Sequence, residues 1–263
     1  MSRSGQIFRL CFALTGIVAS GSAFARKAPP PPAPPETPAY SWSGFYVGAN
    51  LGYGIGSASA TESSFSAGLA GTPLLTNAPD LGVSGVIGGG QIGYDWQTAP
   101  TWLVGVEADF QGSGQRGSGT FTNPFASVAD GVQVDNKWFG TVRGRVGYIQ
   151  DNTNLWYVTG GFAFGRDELK LSETNGFFPA SPTSGTFSKT NGGWTLGGGV
   201  ESHLFGNWTA KIEYLYMDLG TISGTSQSFA PFFVGGPLFL ASGITASAHI
   251  HDNIVRAGLN YKF

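Results

Sequence analysis

Arg143 and Arg145 stand two residues apart in "TVRGRVGYI", each flanked only by glycine or apolar residues. A β-strand turns successive side chains to opposite faces. Both guanidiniums therefore share one face, and Val142, Val146 and Tyr148 share the other with Trp138 further back. The arrangement recurs. Lys211 and Glu213 oppose Trp208, Ala210, Ile212, Tyr214 and Tyr216. Glu107 and Asp109 oppose Trp102, Val104, Val106, Ala108 and Phe110. Gln91 and Asp95 oppose Ile92, Tyr94 and Trp96, while Glu201 and His203 oppose Leu196, Val200 and Leu204. At the end of the chain Val255, Ala257, Leu259, Tyr261 and Phe263 alternate with Arg256, Gly258, Asn260 and Lys262. Such two-faced strands need something apolar against one side, either a protein core or a bilayer.

The composition favours the bilayer. Charged residues are 11% of the chain, against about 25% in ordinary soluble domains. Glycine is abundant, at 42 residues, and aromatic residues make up 14%. A net charge of −2 with no basic patch argues against nucleic acid as a partner. Beyond the N-terminus no apolar run reaches the roughly 18 residues a helical span needs, but a membrane strand needs only about 10.

Residues 1–25 read as a secretory signal peptide. Arg3 and Arg9 precede the apolar run Leu10 to Ala19, and Ala23-Phe24-Ala25 offers a cleavage site. The single cysteine, Cys11, lies inside that run, so the mature chain contains no disulfide. Residues 26–41, "RKAPPPPAPPETPAYS", form an extended proline-rich periplasmic linker.

Residues 42–263 contain eight segments of period-two character: 42–56, 82–97, 101–112, 136–150, 154–171, 192–205, 208–220 and 246–263. Their connections alternate in length. "TAP", "DNT" and "GN" are tight, whereas 57–81, 113–135, 172–191 and 221–245 are long and rich in Gly, Ser, Thr, Asn and Pro. The expected fold is all-β: an eight-stranded antiparallel transmembrane β-barrel, with short periplasmic turns and four long extracellular loops.

A cationic side chain at the bilayer midplane on a lipid face costs about 2–4 kcal/mol, so the charged faces must point inward. This predicts a lumen charge network of Asp95, Glu107, Asp109, Arg143, Arg145, Glu201, Lys211, Glu213 and Arg256, with Lys262 at its edge. The signs nearly balance, and an eight-stranded interior is only wide enough for side chains, so the lumen is expected to be plugged by salt bridges. Trp42, Phe45, Trp96, Trp102, Tyr148, Trp156, Trp208 and Phe263 are expected to form interfacial girdles on the apolar face.

"WSGFYVGANLGYG", "GGGQIGYDWQ", "VRGRVGY", "YVTGGFAFG", "GWTLGGGVE", "AKIEYLYMDLG" and "IVRAGLNYKF" together resemble the small alphaproteobacterial outer-membrane barrels, the RopB-like or outer-membrane immunogenic-protein family. The resemblance spans residues 42–263. It implies a monomeric eight-stranded barrel of the cell outer membrane, often labelled porin, with no catalytic residues and no cofactor. It also implies that the aromatic C-terminus, Tyr261 and Phe263, is the signal read by the barrel-assembly machinery. The expected surroundings are outer-membrane lipid and lipopolysaccharide, with the loops open to an extracellular ligand.

Other functional readings are weaker. "GGGQIG" (Gly88 to Gly93) matches a dinucleotide fingerprint, yet "YDWQ" continues a strand where a helix is required. Glu201 and His203 share a face and could serve an outer-membrane lipid hydrolase, but His203 precedes a periplasmic turn. His249 and His251 lack a third ligand nearby, so no metal site is expected. The main reading is a structural surface barrel; the alternative is a narrow porin for small solutes.

Overall fold

The computed structural model describes residues 40–67, 74–76, 80–123, 128–174, 184–233 and 237–263. The signal segment and most of the proline-rich linker lie outside the described residues. Ten strands follow one another: β1 (Gly44–Ala67), β2 (Leu74–Thr76), β3 (Asp80–Ala99), β4 (Trp102–Ser113), β5 (Arg116–Asn123), β6 (Val128–Gln150), β7 (Asn154–Thr174), β8 (Ser184–Phe205), β9 (Trp208–Phe233) and β10 (Pro237–Lys262). Every pairing is antiparallel.

The ring closes because β1 pairs with β10 on one side and with β3 on the other. It has eight staves. β4 and β5 are one stave interrupted at Gly114 and Gln115, since both pair with β6 and with β3. β2 is an added ribbon against Glu62, Ser63 and Ser64 of β1. In its periplasmic part every stave is paired on both sides, as a backbone in hydrocarbon requires, whereas towards the outside β8 and β9 part above Trp194 and Asp218.

The three tight turns fall where expected. Asp151 and Asn152 both adopt left-handed backbone, with φ of 51° and 54°, and Gly206 does so at 54°. These are residue types that tolerate that region.

The staves are longer than the sequence reading allowed. All four long connections were read as loops from their Gly, Ser and Thr content, but strand continues into each, to Ala67, from Asp80, from Arg116, to Thr174, from Ser184, to Phe233 and from Pro237. The reason lies in the inward positions. Ala58, Leu81, Val83, Val132, Val134, Leu169, Ile222, Ala248 and Ile250 form one buried apolar cluster. Period-two burial thus persists where the outward residues are small and polar.

Phe45, Trp96, Trp102, Tyr148, Trp156, Trp208 and Phe263 are exposed on the outer wall, as a girdle requires. Trp42 is not. Its side chain is 1% exposed and packs inside the periplasmic mouth with Leu103, Ile149, Leu155 and Tyr157, with Tyr40 against it. Trp42 precedes β1, so strand phase does not govern where it points.

Candidate functional site

Each staff of the barrel contributes alternate side chains to the interior, and the strand phases bring the expected charges together there. Asp95, Glu107, Asp109, Arg143, Arg145, Glu201, Lys211, Glu213, Arg256 and Lys262 are all buried. Cross-strand register does the first part of the work. Glu107 stands opposite Arg143, Glu201 opposite Lys211, and Glu213 opposite Arg256.

The pairs then link across the lumen. Arg143 bonds Glu107, lies 2.9 Å from Asp109 Oδ2 and donates to Glu213 Oε1 at 3.1 Å. Arg256 donates through Nε to Glu213 Oε2 at 2.7 Å and through Nη2 to Asp109 Oδ2 at 2.9 Å. Lys211 Nζ donates to both oxygens of Glu107, at 3.0 and 2.9 Å. Two phenols complete this layer: Tyr46 donates to Glu107 at 2.7 Å and Tyr157 to Glu213 at 3.0 Å.

Nearer the periplasm, Arg145 grips Asp95 with Nε at 2.8 Å and a second nitrogen, and donates to Glu201 Oε2 at 3.0 Å. Its guanidinium also lies 4.7 Å from the Tyr46 ring centroid and 5.4 Å from that of Tyr157, within cation–π reach. Asn260 donates to Glu201 at 2.8 Å, and Asn50 donates to Gln91 at 3.0 Å. Lys262 donates to the Trp42 carbonyl and lies 3.6 Å from Asp95. An isolated buried ion costs several kcal/mol, and multidentate pairing of this kind is what offsets that cost.

Beyond the outer aromatic side chains the staves carry further polar groups. Asp167 and Asp252 face inward and are buried. Asn136 Nδ2 donates to Asp167 at 3.1 Å, and Gln115 Nε2 donates to Asp252 at 2.6 Å. The sequence reading does not single out either residue, although both lie inside its strands 154–171 and 246–263 and Asp252 continues the inward series of Arg256 and Ile254.

On the outside of the same region Asp135 meets Lys137 and Lys170, both at 3.0 Å, and Gln133 at 2.8 Å. Burial would raise the Asp135 carboxyl, but these hydrogen bonds outweigh it and hold it at about 2.

The remaining motifs are engaged elsewhere. His203 bonds the Gly206 carbonyl at 2.9 Å and stacks on Tyr40 at 4.0 Å, at the periplasmic mouth. The rings of His249 and His251 are 6.4 Å apart; His249 lies 3.4 Å from Asp218 and His251 2.8 Å from Ser57 Oγ. Gly88 to Gly93 lies within β3. Tyr261 and Phe263 contact each other edge-on at 5.2 Å, and the Phe263 amide donates to the Phe45 carbonyl at 2.9 Å.

A closed antiparallel ring with an apolar, aromatic-girdled exterior and an ionic interior defines a β-barrel of the outer membrane. Residues 11–263 match the outer membrane protein beta-barrel domain, and the chain belongs to that family. Curated relatives agree. A 31 kDa outer-membrane immunogenic protein of Brucella melitensis is 35% identical over 95% of this chain and 94% of its own length. A 22 kDa outer membrane protein of Rhizobium leguminosarum is 33% identical over 70% of this chain and 67% of its own. A 25 kDa outer-membrane immunogenic protein of Brucella abortus is 30% identical over 93% of this chain and 92% of its own. The chain is a protein of the cell outer membrane.

Proposed function

We propose that this protein is a structural surface barrel: it stabilises the outer membrane, exposes its upper strands and loops to the outside, and carries an interior sealed by ion pairs. The observation behind this reading is the network in which Arg143, Arg145, Lys211, Arg256 and Lys262 neutralise Asp95, Glu107, Asp109, Glu201 and Glu213. Buried apolar clusters flank it, one around Trp42 and Leu103, another around Phe139, Leu215 and Ile254. A conducting path would need water and unpaired charge along the axis, and these groups are paired instead.

The same pairing argues against catalysis. Both oxygens of Glu201 are occupied, Oε2 by Arg145 and Oε1 by Thr209 and Asn260. Lipid and lipopolysaccharide suit the outer wall, a monomer suits a ring closed through its periplasmic part, and Phe263 at the periplasmic rim suits recognition by the assembly machinery.

Planar-bilayer recording on refolded protein tests the sealed interior. Silence, or only brief small openings, is expected. A steady, large single-channel conductance would instead establish the narrow porin.

A further inference from the structure

The ionic layer does not include every buried acid. Along β10 the inward side chains run Arg256, Ile254, Asp252, Ile250; along β7 they run Ala163, Gly165, Asp167, Leu169. Each aspartate thus sits between apolar positions on its own strand. Ile254 and Ala163 belong to the buried cluster on the periplasmic side, and Ile250 and Leu169 to the one on the extracellular side.

Gln115 and Asn136 bridge the two acids across the lumen. The Asn136 amide donates to the Gln115 carbonyl at 3.1 Å, while their side chains hold Asp167 and Asp252 respectively as described above. Gly54 and Gly56, on β1 beside Asp252, make room for this layer. A Cβ at Gly54 would collide with the Gln115 amide, and one at Gly56 would crowd Asp252 Oδ1.

Two features of this layer are unusual. Among the described residues no Lys, Arg or His forms an ion pair with either Asp167 or Asp252. Three of its oxygens also lack any hydrogen-bond partner: Asp167 Oδ2, Asp252 Oδ1 and Asn136 Oδ1. The residues bearing them are 0%, 4% and 3% exposed. Burying an acceptor without a donor is costly, and burying two carboxylates without a counter-charge is costlier still. Asn136 is the independent sign. Its Nδ2 is committed to Asp167, and the carbonyl oxygen of the same buried amide meets no donor.

We propose that Asp167, Asp252 and Asn136 form a binding site for one hard divalent cation of the calcium or magnesium class, inside the extracellular part of the barrel. The charges balance, since two carboxylates neutralise one divalent ion. The donor chemistry fits too: carboxylate and amide oxygens suit hard cations, and no sulfur or imidazole is present to favour zinc or copper. Gln115 acts as a positioning residue by orienting Asp252. The site does not depend on whether the ionic layer conducts.

The test uses the full mature chain refolded in detergent micelles, stripped with EDTA and exchanged into cation-free buffer. Calcium chloride or magnesium chloride is then titrated while the urea midpoint is followed by tryptophan fluorescence and binding by calorimetry. One ion should bind per chain. At an ion concentration about 100-fold above Kd, the folded-to-unfolded ratio should rise about 100-fold. Asp167→Asn and Asp252→Asn should lose this response, whereas His249→Ala, on the outer wall, should keep it.

An identical midpoint in EDTA and in saturating calcium and magnesium would overturn the site, leaving the acids to hold protons only. A response that survives in both asparagine variants would overturn it as well, by placing the ion elsewhere. Should either variant fail to refold, the calorimetric stoichiometry of the parent chain decides: no heat from one bound ion per chain ends the proposal.

Discussion

Arg143 is the side chain whose loss the barrel should tolerate least. It is fully buried and serves Glu107, Asp109 and Glu213 at once. Arg143→Leu leaves Arg145, Lys211, Arg256 and Lys262 facing Asp95, Glu107, Asp109, Glu201 and Glu213, so one carboxylate charge lies buried and uncompensated. Removing one partner of a buried pair costs about 3–5 kcal/mol. With a urea dependence of about 2 kcal/mol per M, the unfolding midpoint in micelles should fall by about 2 M. Adding Glu107→Gln restores the charge balance, so the double variant should recover at least about 1 kcal/mol relative to the sum of the singles. Lys137→Ala, which breaks an outer-wall pair, provides the scale for a solvent-screened interaction, about 1 kcal/mol or less. If Arg143→Leu costs no more than Lys137→Ala, or if the two interior substitutions simply add, the network does not hold the barrel together and the reasoning fails.

Two smaller perturbations probe other levels. A Cβ at Gly93 would strike the ring of Tyr46, so Gly93→Ala should lever that phenol away from Glu107 and cost about 1–3 kcal/mol of urea stability. Asp135 is held at about 2, below its ordinary value of about 4, so its contribution is fully present above pH 4 and is lost as pH falls towards 2. Asp135→Asn should flatten stability over that acidic window and leave it little changed between pH 5 and 8, as urea titrations at fixed pH will show.

Much of this was legible because strand phase is a two-valued code. Once Arg143 is known to face inward, Arg145 must as well, and the partners on neighbouring staves follow from where their own apolar faces lie. Phase also carried information that composition hid. Val132 and Val134 alternate with polar neighbours inside a segment that looks like a loop by Gly and Ser content, yet they belong to a strand. Asp167 and Asp252 lie inside segments read as strands, but a lone acid between apolar positions shows no partner along its own strand. Trp42 is a different case. It lies before the first strand, where no periodicity constrains it, and its place in the mouth is decided by packing with residues far away in sequence. The join between Gln115 and Asp252 is likewise invisible from either strand alone, because it crosses the lumen.

The interior charges also bear on how the barrel finds its register. If β6 slipped by one residue against its neighbours, Arg143 and Arg145 would turn to the lipid and Val142 and Val146 to the lumen. Each exposed guanidinium would cost about 2–4 kcal/mol near the midplane. A strand apolar on both faces would incur no such penalty, since valine suits either side. The ion pairs therefore act against misaligned barrels even where an apolar interior could match them in stability. A variant stripped of the whole network tests this: Asp95→Leu, Glu107→Leu, Asp109→Leu, Arg143→Leu, Arg145→Leu, Glu201→Leu, Lys211→Met, Glu213→Leu, Arg256→Met and Lys262→Met together. It should still partition into detergent as β-structure, but refold into several species of different mobility on unboiled gels, where the parent gives one folded band. A single sharp band from that variant, shifting on boiling as the parent does, would show that outer-face patterning alone selects the register and that the charges serve some other end.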